Sequence, residues 1–181
     1  MKPKTFLFIM ALAGIIVSCI PSLYPLYREK DLMVNDKLEG IFGDFDGIFG
    51  EDDDDYWEIR RLGPDIVKDL KGDWQQYQSG YTYRLSVMED GEMEEFAMHL
   101  MKLGEDLYLD FFPVGYSIKP GFLEMHLAPS HIFAKTEISD EYLVLHFFEM
   151  DWLEELLVEN RIKISHMKLQ DNRYLLTAKT E

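Results

Sequence analysis

The strongest constraint on the fold is a series of short segments with alternating apolar and polar residues, separated by turn sequences. In the clearest of them, residues 81–87, every odd position is aromatic or aliphatic and every even position is polar. This period of two is typical of a strand that is buried on one side. Turn sequences follow at close spacing, first Asp90-Gly91 and then Gly104-Glu105-Asp106. The pattern predicts a mainly β fold, in which an antiparallel meander closes into a barrel or a curled sheet.

The other predicted elements are strands, with one exception near the C-terminus. Strands are predicted at residues 38–42, 56–62, 94–103, 107–112, 122–127, 131–138, 142–148, 162–169 and 173–178. Residues 63–80 are an ambiguous insert, in which a helical turn at 66–70 ends at Gly72.

The exception is residues 151–160, which predict one short helix. Asp151 is suited to cap its N-terminus, and Glu154 completes a pattern like the capping box. Trp152 and Leu156 are four residues apart, as are Leu153 and Leu157. One apolar face of this helix is therefore expected to cover an end or a side of the sheet.

Residues 1–18 have the composition of an export signal. A basic start with Lys2 and Lys4 precedes the twelve almost wholly apolar residues 6–17. This apolar core is shorter than the about 20 residues that a membrane-spanning helix needs. Ser18, a small residue, then stands directly before Cys19, the only cysteine of the chain.

The sequence Ile16-Val17-Ser18-Cys19 resembles the lipobox of bacterial lipoproteins. The resemblance implies that the Cys19 thiol is diacylated, that the signal is cleaved between Ser18 and Cys19, and that the new amino group is acylated. A thiolate is the nucleophile that forms the thioether, and two or three acyl chains hold a protein firmly on a membrane. Two alternatives remain. Cleavage near Ala11 or Ala13 would leave a free thiol, and an uncleaved segment would itself be a short anchor.

The charge and cysteine content of the chain exclude some partners and some stabilising interactions. The 34 acidic and 18 basic residues give a formal charge of −16, and loss of Lys2 and Lys4 with residues 1–18 lowers it to −18. Such a chain has no basic surface for nucleic acid and is not expected to lie flat on anionic lipid. A single cysteine forms no disulfide within the chain, so burial must stabilise the fold.

The sequence divides into three parts. Residues 1–18 are the predicted lipoprotein signal peptide. Residues 19–37 have no clean period and contain Pro21 and Pro25, so they are a predicted tether. Its apolar side chains could dock on the domain; they are Leu23, Tyr24, Leu26 and Tyr27. Residues 38–181 are predicted to form one β-barrel-like domain.

Candidate catalytic and metal-binding residues are few. The five histidines all fall on predicted strands, and strand pairing could bring two or three together as zinc ligands; they are His99, His126, His131, His146 and His166. Their spacing favours the alternative, in which His126 points outward or bonds a neighbour and His146 is a hydrogen-bonded histidine of the barrel.

The acidic run at 51–55, with Asp44 and Asp46, could bind calcium. It lacks the spacing of an EF-hand loop and is typical of a solvated hairpin tip. The chain also has no His-Glu-x-x-His, no Gly-x-Ser-x-Gly and no glycine loop for phosphate. We therefore predict no catalytic residue, no metal and no cofactor.

Four stretches carry a resemblance that covers nearly the whole chain after Cys19. They are Pro25-Leu26-Tyr27 with Glu29-Lys30-Asp31-Leu32; Leu38-Glu39-Gly40-Ile41-Phe42; His99-Leu100-Met101-Lys102-Leu103-Gly104 leading to Leu109-Asp110-Phe111-Phe112-Pro113; and His126-Leu127-Ala128-Pro129-Ser130-His131. In them the chain resembles a family of uncharacterised Gram-negative envelope lipoproteins, which implies an anchor but no activity. Gly40-Ile41-Phe42 also resembles the Gly-x-Trp start of the first lipocalin strand, with Phe42 in place of tryptophan, and implies a lipocalin-like barrel.

Three classes of function fit these expectations, in the following order. The first is a non-enzymatic binding module that encloses a small apolar ligand or lipid, held at the membrane by acyl chains on Cys19. The second is an interaction or assembly factor that docks an envelope protein, and the third is an enzyme with a histidine and acid site. Residues 20–23 lack the run of acids that sends some lipoproteins to the cell surface, which favours the periplasmic face of the outer membrane.

Overall fold

The computed structural model describes residues 19–43, 56–63, 66–67, 72–77, 80–89, 91–115, 128–170 and 173–180. Within them the strands are β1 (Leu32–Met33), β2 (Gly40–Phe42), β3 (Tyr56–Arg61), β4 (Thr82–Glu89), β5 (Glu92–Leu103), β6 (Asp106–Pro113), β7 (Ile132–Ile138), β8 (Leu143–Phe147), β9 (His166–Lys168) and β10 (Tyr174–Leu176), and the α-helix is α1 (Met150–Val158). Short 3-10 helices cover Glu29–Asp31, Asp36–Leu38 and Gly72–Gln76. The predicted mainly β fold with one helix near the C-terminus is confirmed.

Strands β2 to β8 form one antiparallel sheet, in which each strand pairs with its neighbours in sequence. β4 pairs with β5 only as far as His99, and β1 pairs with the next residues of β5, Leu100 and Met101. β9 pairs separately with β10. The turn after β4 contains Gly91 and the turn after β5 contains Gly104, both with positive φ (77° and 66°), which glycine adopts without steric cost. The sheet curls into a half-barrel, so the meander prediction is confirmed in its curled-sheet form.

One face of this sheet, which we call the inner face, carries an apolar cluster to which every strand from β2 to β8 contributes. Its buried members are Leu38, Trp57, Ile59, Tyr83, Leu85, Val87, Met98, Leu100, Leu109, Phe111 and Ala134. The Trp57 and Phe111 rings meet edge to face with centroids 6.3 Å apart. Three members come from the odd-numbered positions of β4, as their alternation predicts.

The opposite face, which we call the outer face, is covered over part of its area by residues of the 63–80 insert. Val67 and Trp74 pack there against Leu62, Ala97 and Val114. On the same face the even-numbered β4 residues Thr82 and Ser86 are also buried. Ile66 and Val67 are helical, as predicted, and Gly72 begins a 3-10 helix; the end of the predicted helical turn, at 68–71, lies outside the described residues.

Helix α1 packs against both ends of the described chain. Met150 and Leu153 form a third apolar cluster with Ile20 and Tyr174. The helix therefore does not simply lie over the main sheet. It joins Ile20, near the start of the described residues, to Tyr174 of the hairpin formed by β9 and β10.

Two details of the α1 prediction are wrong. The residue before the helix is Glu149, not Asp151, and its side chain makes no capping hydrogen bond. The reason is that Glu149 forms an isolated antiparallel bridge with Cys19, which holds its backbone extended until the helix begins at Met150. Trp152, predicted on the apolar face, is 48% exposed.

Some predicted features lie outside the described residues. They are the signal peptide at 1–18, the acids from Asp44 to Asp55 and the strand at 122–127 with His126.

Candidate functional site

Residues 19–37, which we call the N-terminal segment, lie against the folded domain. Leu26 and Tyr27 meet side chains of the outer face, whereas Met33 and Val34 pack against the inner-face cluster. Ser22 exchanges both backbone hydrogen bonds with His131, at 2.9 and 2.8 Å. Leu23 N–H donates to the Leu176 carbonyl of β10 at 2.9 Å, and β1 pairs with β5. The predicted tether is therefore seen with its residues docked on the domain.

A group of buried or half-buried polar side chains, which we call the outer-face cluster, lies where this segment meets the sheet. Its members are Tyr27, Thr82, His99, Asp110 and His131. The strand register pairs Thr82 with His99 and His99 with Asp110, and directly paired residues point to the same side of a sheet. The three strands β4 to β6 thus present one row of polar side chains.

Asp110 is the centre of this cluster and has 0% exposure. Its Oδ1 lies 2.6 Å from His131 Nδ1, and its Oδ2 accepts from Leu26 N–H at 3.1 Å. Burial raises the pKa of Asp110, while the hydrogen bond and the charge of His131 oppose that rise. An ionised carboxylate only accepts hydrogen bonds, so His131 Nδ1–H is then the donor. One side chain thereby joins β6, the residue before β7 and the N-terminal segment.

His99 is 4% exposed. Its Nε2 shares a 2.9 Å hydrogen bond with the Thr82 hydroxyl, and its Nδ1 has no hydrogen-bond partner among the described residues. The rings of Tyr27 and Tyr77 lie 4.6 and 5.9 Å from the imidazole. Burial, with a smaller effect of His131, lowers the pKa of His99 to about 4, so this side chain is neutral at pH 7. Burial and the Asp110 charge also raise the pKa of Tyr27.

The pairing of an imidazole with a carboxylate is an arrangement that general bases use. The serine and threonine hydroxyl groups beside His99 and His131 already have partners. The Thr82 hydroxyl shares its hydrogen bond with His99 Nε2, and the Ser22 hydroxyl donates to the Tyr24 carbonyl at 2.8 Å. The His131 ring packs on Phe112 with centroids 4.5 Å apart. The contacts of Asp110 with Leu26 and of His131 with Ser22 hold the N-terminal segment on the sheet.

Of the four histidines that the structure describes, His99 and His131 lie close together. Among the described residues, no group of three His, Cys, Asp or Glu side chains is placed to hold a metal ion. His146, predicted as a hydrogen-bonded histidine of the barrel, is exposed on β8 with Nε2 3.8 Å from Glu137. His166 is also exposed, with Nδ1 2.9 Å from the Ile164 carbonyl.

Cys19, the predicted lipidation site, is partly exposed at the surface of the domain. Its bridge partner is Glu149, and the next residue, Ile20, is buried in the α1 cluster. Burial raises the pKa of the Cys19 thiol, and a backbone hydrogen bond lowers it by less. Ser18, on the other side of the predicted cleavage site, lies outside the described residues.

A polar pocket of about 180 Å³ opens on the outer face. It is lined by Glu58, Arg60, Arg84 and Ser86, and Arg84 forms an ion pair with Glu95. It does not contact the inner face, where bulky apolar side chains fill the space between strands.

Sequence reasoning missed Asp110, Thr82 and Leu26 as members of a site. One signal was present, because Asp110 stands in the otherwise apolar stretch 107–112. A charged residue inside a buried strand needs a partner, but the partners lie far away in sequence.

Comparisons of the chain with models of protein families, with curated proteins and with solved structures gave no match. In the described part of the chain, no helix combines the length and the apolar character needed to cross a membrane.

Proposed function

We propose that this protein is a lipid-anchored, non-enzymatic interaction module of the bacterial cell envelope. Acyl chains on Cys19 attach it to the periplasmic face of the outer membrane, and its folded domain docks another envelope protein. The observation that carries this proposal is the position of Cys19. The only cysteine of the chain is partly exposed where the apolar residues 6–17 lead into the folded domain.

Acylation is expected to precede docking of the N-terminal segment. The thiolate is the reactive form, and burial in the folded domain raises the pKa of the Cys19 thiol. In the unfolded segment the thiol is more easily ionised and more accessible to an acylating enzyme.

Two features of the described residues favour a protein partner over an enclosed apolar ligand, a polar outer-face pocket and two strand edges. Sites that enclose small ligands have volumes of about 300–1,000 Å³ and mainly apolar linings. The pocket seen on the outer face of the described residues measures about 180 Å³ and has a charged lining. In the described part of the chain, β2 and β8 end the sheet, and such strand edges can pair with a partner strand. Enclosure of an apolar ligand stays a prediction.

The anchor is tested with Cys19→Ala in cells that make the full chain. We expect the unaltered protein in the membrane pellet, with acyl groups on residue 19 by mass spectrometry, and the variant in the soluble envelope fraction. Asp106→Ala, a substitution in an exposed ion pair, serves as the control that keeps its location. Sedimentation of Cys19→Ala with the membranes, when mass spectrometry shows that residues 1–18 have been removed, would contradict the anchor.

The class of function is tested on the protein extracted from its membranes. Crosslinking that captures one dominant envelope protein supports the interaction module. An apolar ligand retained in native mass spectrometry, without such a partner, would favour the ligand-binding alternative. Bound zinc would favour an enzyme.

A further inference from the structure

Three aromatic side chains form a stacked row at the surface, which we call the aromatic row. Phe148 stacks on Tyr108 with centroids 6.2 Å apart and planes at 16°, and Trp152 stacks on Phe148 at 5.5 Å and 23°. Trp152 is 48% exposed, whereas Trp57 and Trp74 are buried. Stacking therefore fixes a large indole in place while about half of its surface stays accessible.

The aromatic row lies beside Cys19. The bridge partner of Cys19 is Glu149, the residue after Phe148, and Cα atoms paired in this way are about 5 Å apart. Trp152 lies three residues further on, about 5 Å along the helix axis. The row and the point of attachment thus share one small area of the surface.

Three possibilities exist for the N-terminus: acylation of Cys19, cleavage near Ala11 or Ala13, and an uncleaved apolar segment at 6–17. In the first and the last of them, a membrane anchor joins the folded domain at Cys19. The chain has no free length there, because Ile20 is buried and Ser22 pairs with His131. A lipid surface at Cys19 must therefore also meet the neighbouring aromatic side chains.

We infer that the aromatic row is the surface on which the domain rests on lipid, with the Trp152 indole among the headgroups. This inference rests on the membrane attachment proposed above. Tryptophan and tyrosine favour the boundary between water and hydrocarbon because each combines an apolar ring with a polar group. The row is flanked by the exposed acids Glu149, Asp151 and Glu155. Since like charges repel, the partner that fits is a zwitterionic rather than an anionic lipid surface.

The test uses the three tryptophans as reporters in the full acylated protein, reconstituted into phosphatidylcholine vesicles whose acyl chains carry bromine near the headgroup. Bromine quenches tryptophan emission only at short range. We expect loss of the Trp152 share of the emission in the unaltered protein. We expect no loss in Trp152→Phe, which keeps Trp57 and Trp74.

A matched control moves the exposed tryptophan to the other end of β8. Tyr142 is 54% exposed and precedes β8, whereas Phe148 follows it, so the two ends are about 20 Å apart. Tyr142→Trp in the Trp152→Phe background is expected to keep its emission in brominated vesicles. In vesicles rich in phosphatidylglycerol, the quenching of Trp152 is expected to be weaker than in phosphatidylcholine.

The outcomes separate the two proposals. If the protein floats with the vesicles but Trp152 is not quenched, or if residue 142 is quenched equally, the contact surface is wrong and the anchor stands. If the protein does not float with vesicles at all, the attachment fails and the contact surface fails with it.

Discussion

The inner face and the covered part of the outer face of the β2–β8 sheet are buried by different means. The inner face is covered by the side chains of seven strands, which are nearly all apolar. The outer-face cluster is covered by the N-terminal segment and the insert, and it depends on directed hydrogen bonds at Asp110 and His99. Burial of the inner face is a non-directional interaction that many side chains share. Burial of the outer-face cluster depends on hydrogen bonds between a few pairs of atoms.

This difference determines which part of the domain can be destabilised without unfolding the rest. Apolar burial is proportional to area and spreads over all the strands, so damage to the inner face is expected to destabilise the whole sheet. A buried polar group without a partner has a high free-energy cost, so damage to the outer-face cluster is expected to release the N-terminal segment first. The outer-face cluster is therefore expected to determine how firmly the N-terminal segment is held on the sheet.

The largest effect is expected at the inner face, for Leu100→Ala. Leu100 has 0% exposure, and loss of such a side chain removes packing and leaves a cavity, at a cost of about 3 to 5 kcal/mol. Leu169→Ala is the matched control, because Leu169 is 37% exposed and its loss is expected to cost less than about 1 kcal/mol. Urea unfolding measures both. Similar losses in the two variants would mean that the inner face is not the main core.

The next effect is expected at the outer-face cluster, for Asp110→Ala. The substitution leaves His131 Nδ1–H and Leu26 N–H without their acceptor, at a cost of about 2 to 4 kcal/mol. We also expect faster trypsin cleavage within the N-terminal segment, at Arg28 and Lys30, before the sheet unfolds. Asp106→Ala, on the same strand, removes only an exposed ion pair with Lys135 and is expected to cost less than about 1 kcal/mol. Equal cleavage of the two variants would contradict a release of the segment.

The two regions also differ in how far the sequence predicts them. The inner face follows from period-two alternation in β4, and the turns at Gly91 and Gly104 follow from local preference, so both are visible within a few residues. The outer-face cluster joins Leu26, His99, Asp110 and His131, which are brought together by strand order and register. No local pattern contains that information. The exposure of Trp152 was missed for a related reason, because the bridge between Cys19 and Glu149 sets where α1 begins.

A smaller effect is expected from His99 and depends on pH. An unfolded histidine takes up a proton near pH 6.5, and burial lowers the pKa of His99 in the fold to about 4. As the pH falls from 6.5 to 4, the unfolded state binds the proton first, so the folded state loses stability, by about 2 to 3 kcal/mol in total. The raised pKa of Asp110 acts in the opposite sense, because the folded state then takes up that proton first.

The comparison of the unaltered chain with His99→Gln isolates the contribution of His99. Gln is suited to keep the hydrogen bond to Thr82 but does not titrate, so the variant is expected to lose less stability between pH 6.5 and 4.5. His146→Gln, at an exposed position, is expected to behave as the unaltered chain does. Urea unfolding at several pH values measures the difference. Parallel pH profiles for the unaltered chain and His99→Gln would contradict the burial of a neutral imidazole.

The smallest effect is expected where the two regions meet, at Tyr83. Its ring lies on the inner face with 0% exposure, while its hydroxyl accepts from Asn35 N–H at 2.8 Å and donates to the Asn35 carbonyl at 3.1 Å. Tyr83→Phe keeps the ring and removes both hydrogen bonds, at a cost of about 1 to 2 kcal/mol. Tyr142→Phe, at an exposed position, is the control and is expected to have no effect.

Hydrogen exchange decides whether this contact couples the inner face to the N-terminal segment. In Tyr83→Phe we expect faster exchange of the Asn35 amide, which loses its acceptor, and unchanged exchange in the centre of β5, where the backbone pairing to β4 and β6 is intact. Exchange that rises equally in both places would mean that the segment and the sheet open together. The N-terminal segment would then belong to the same cooperative unit as the sheet rather than to a separate one.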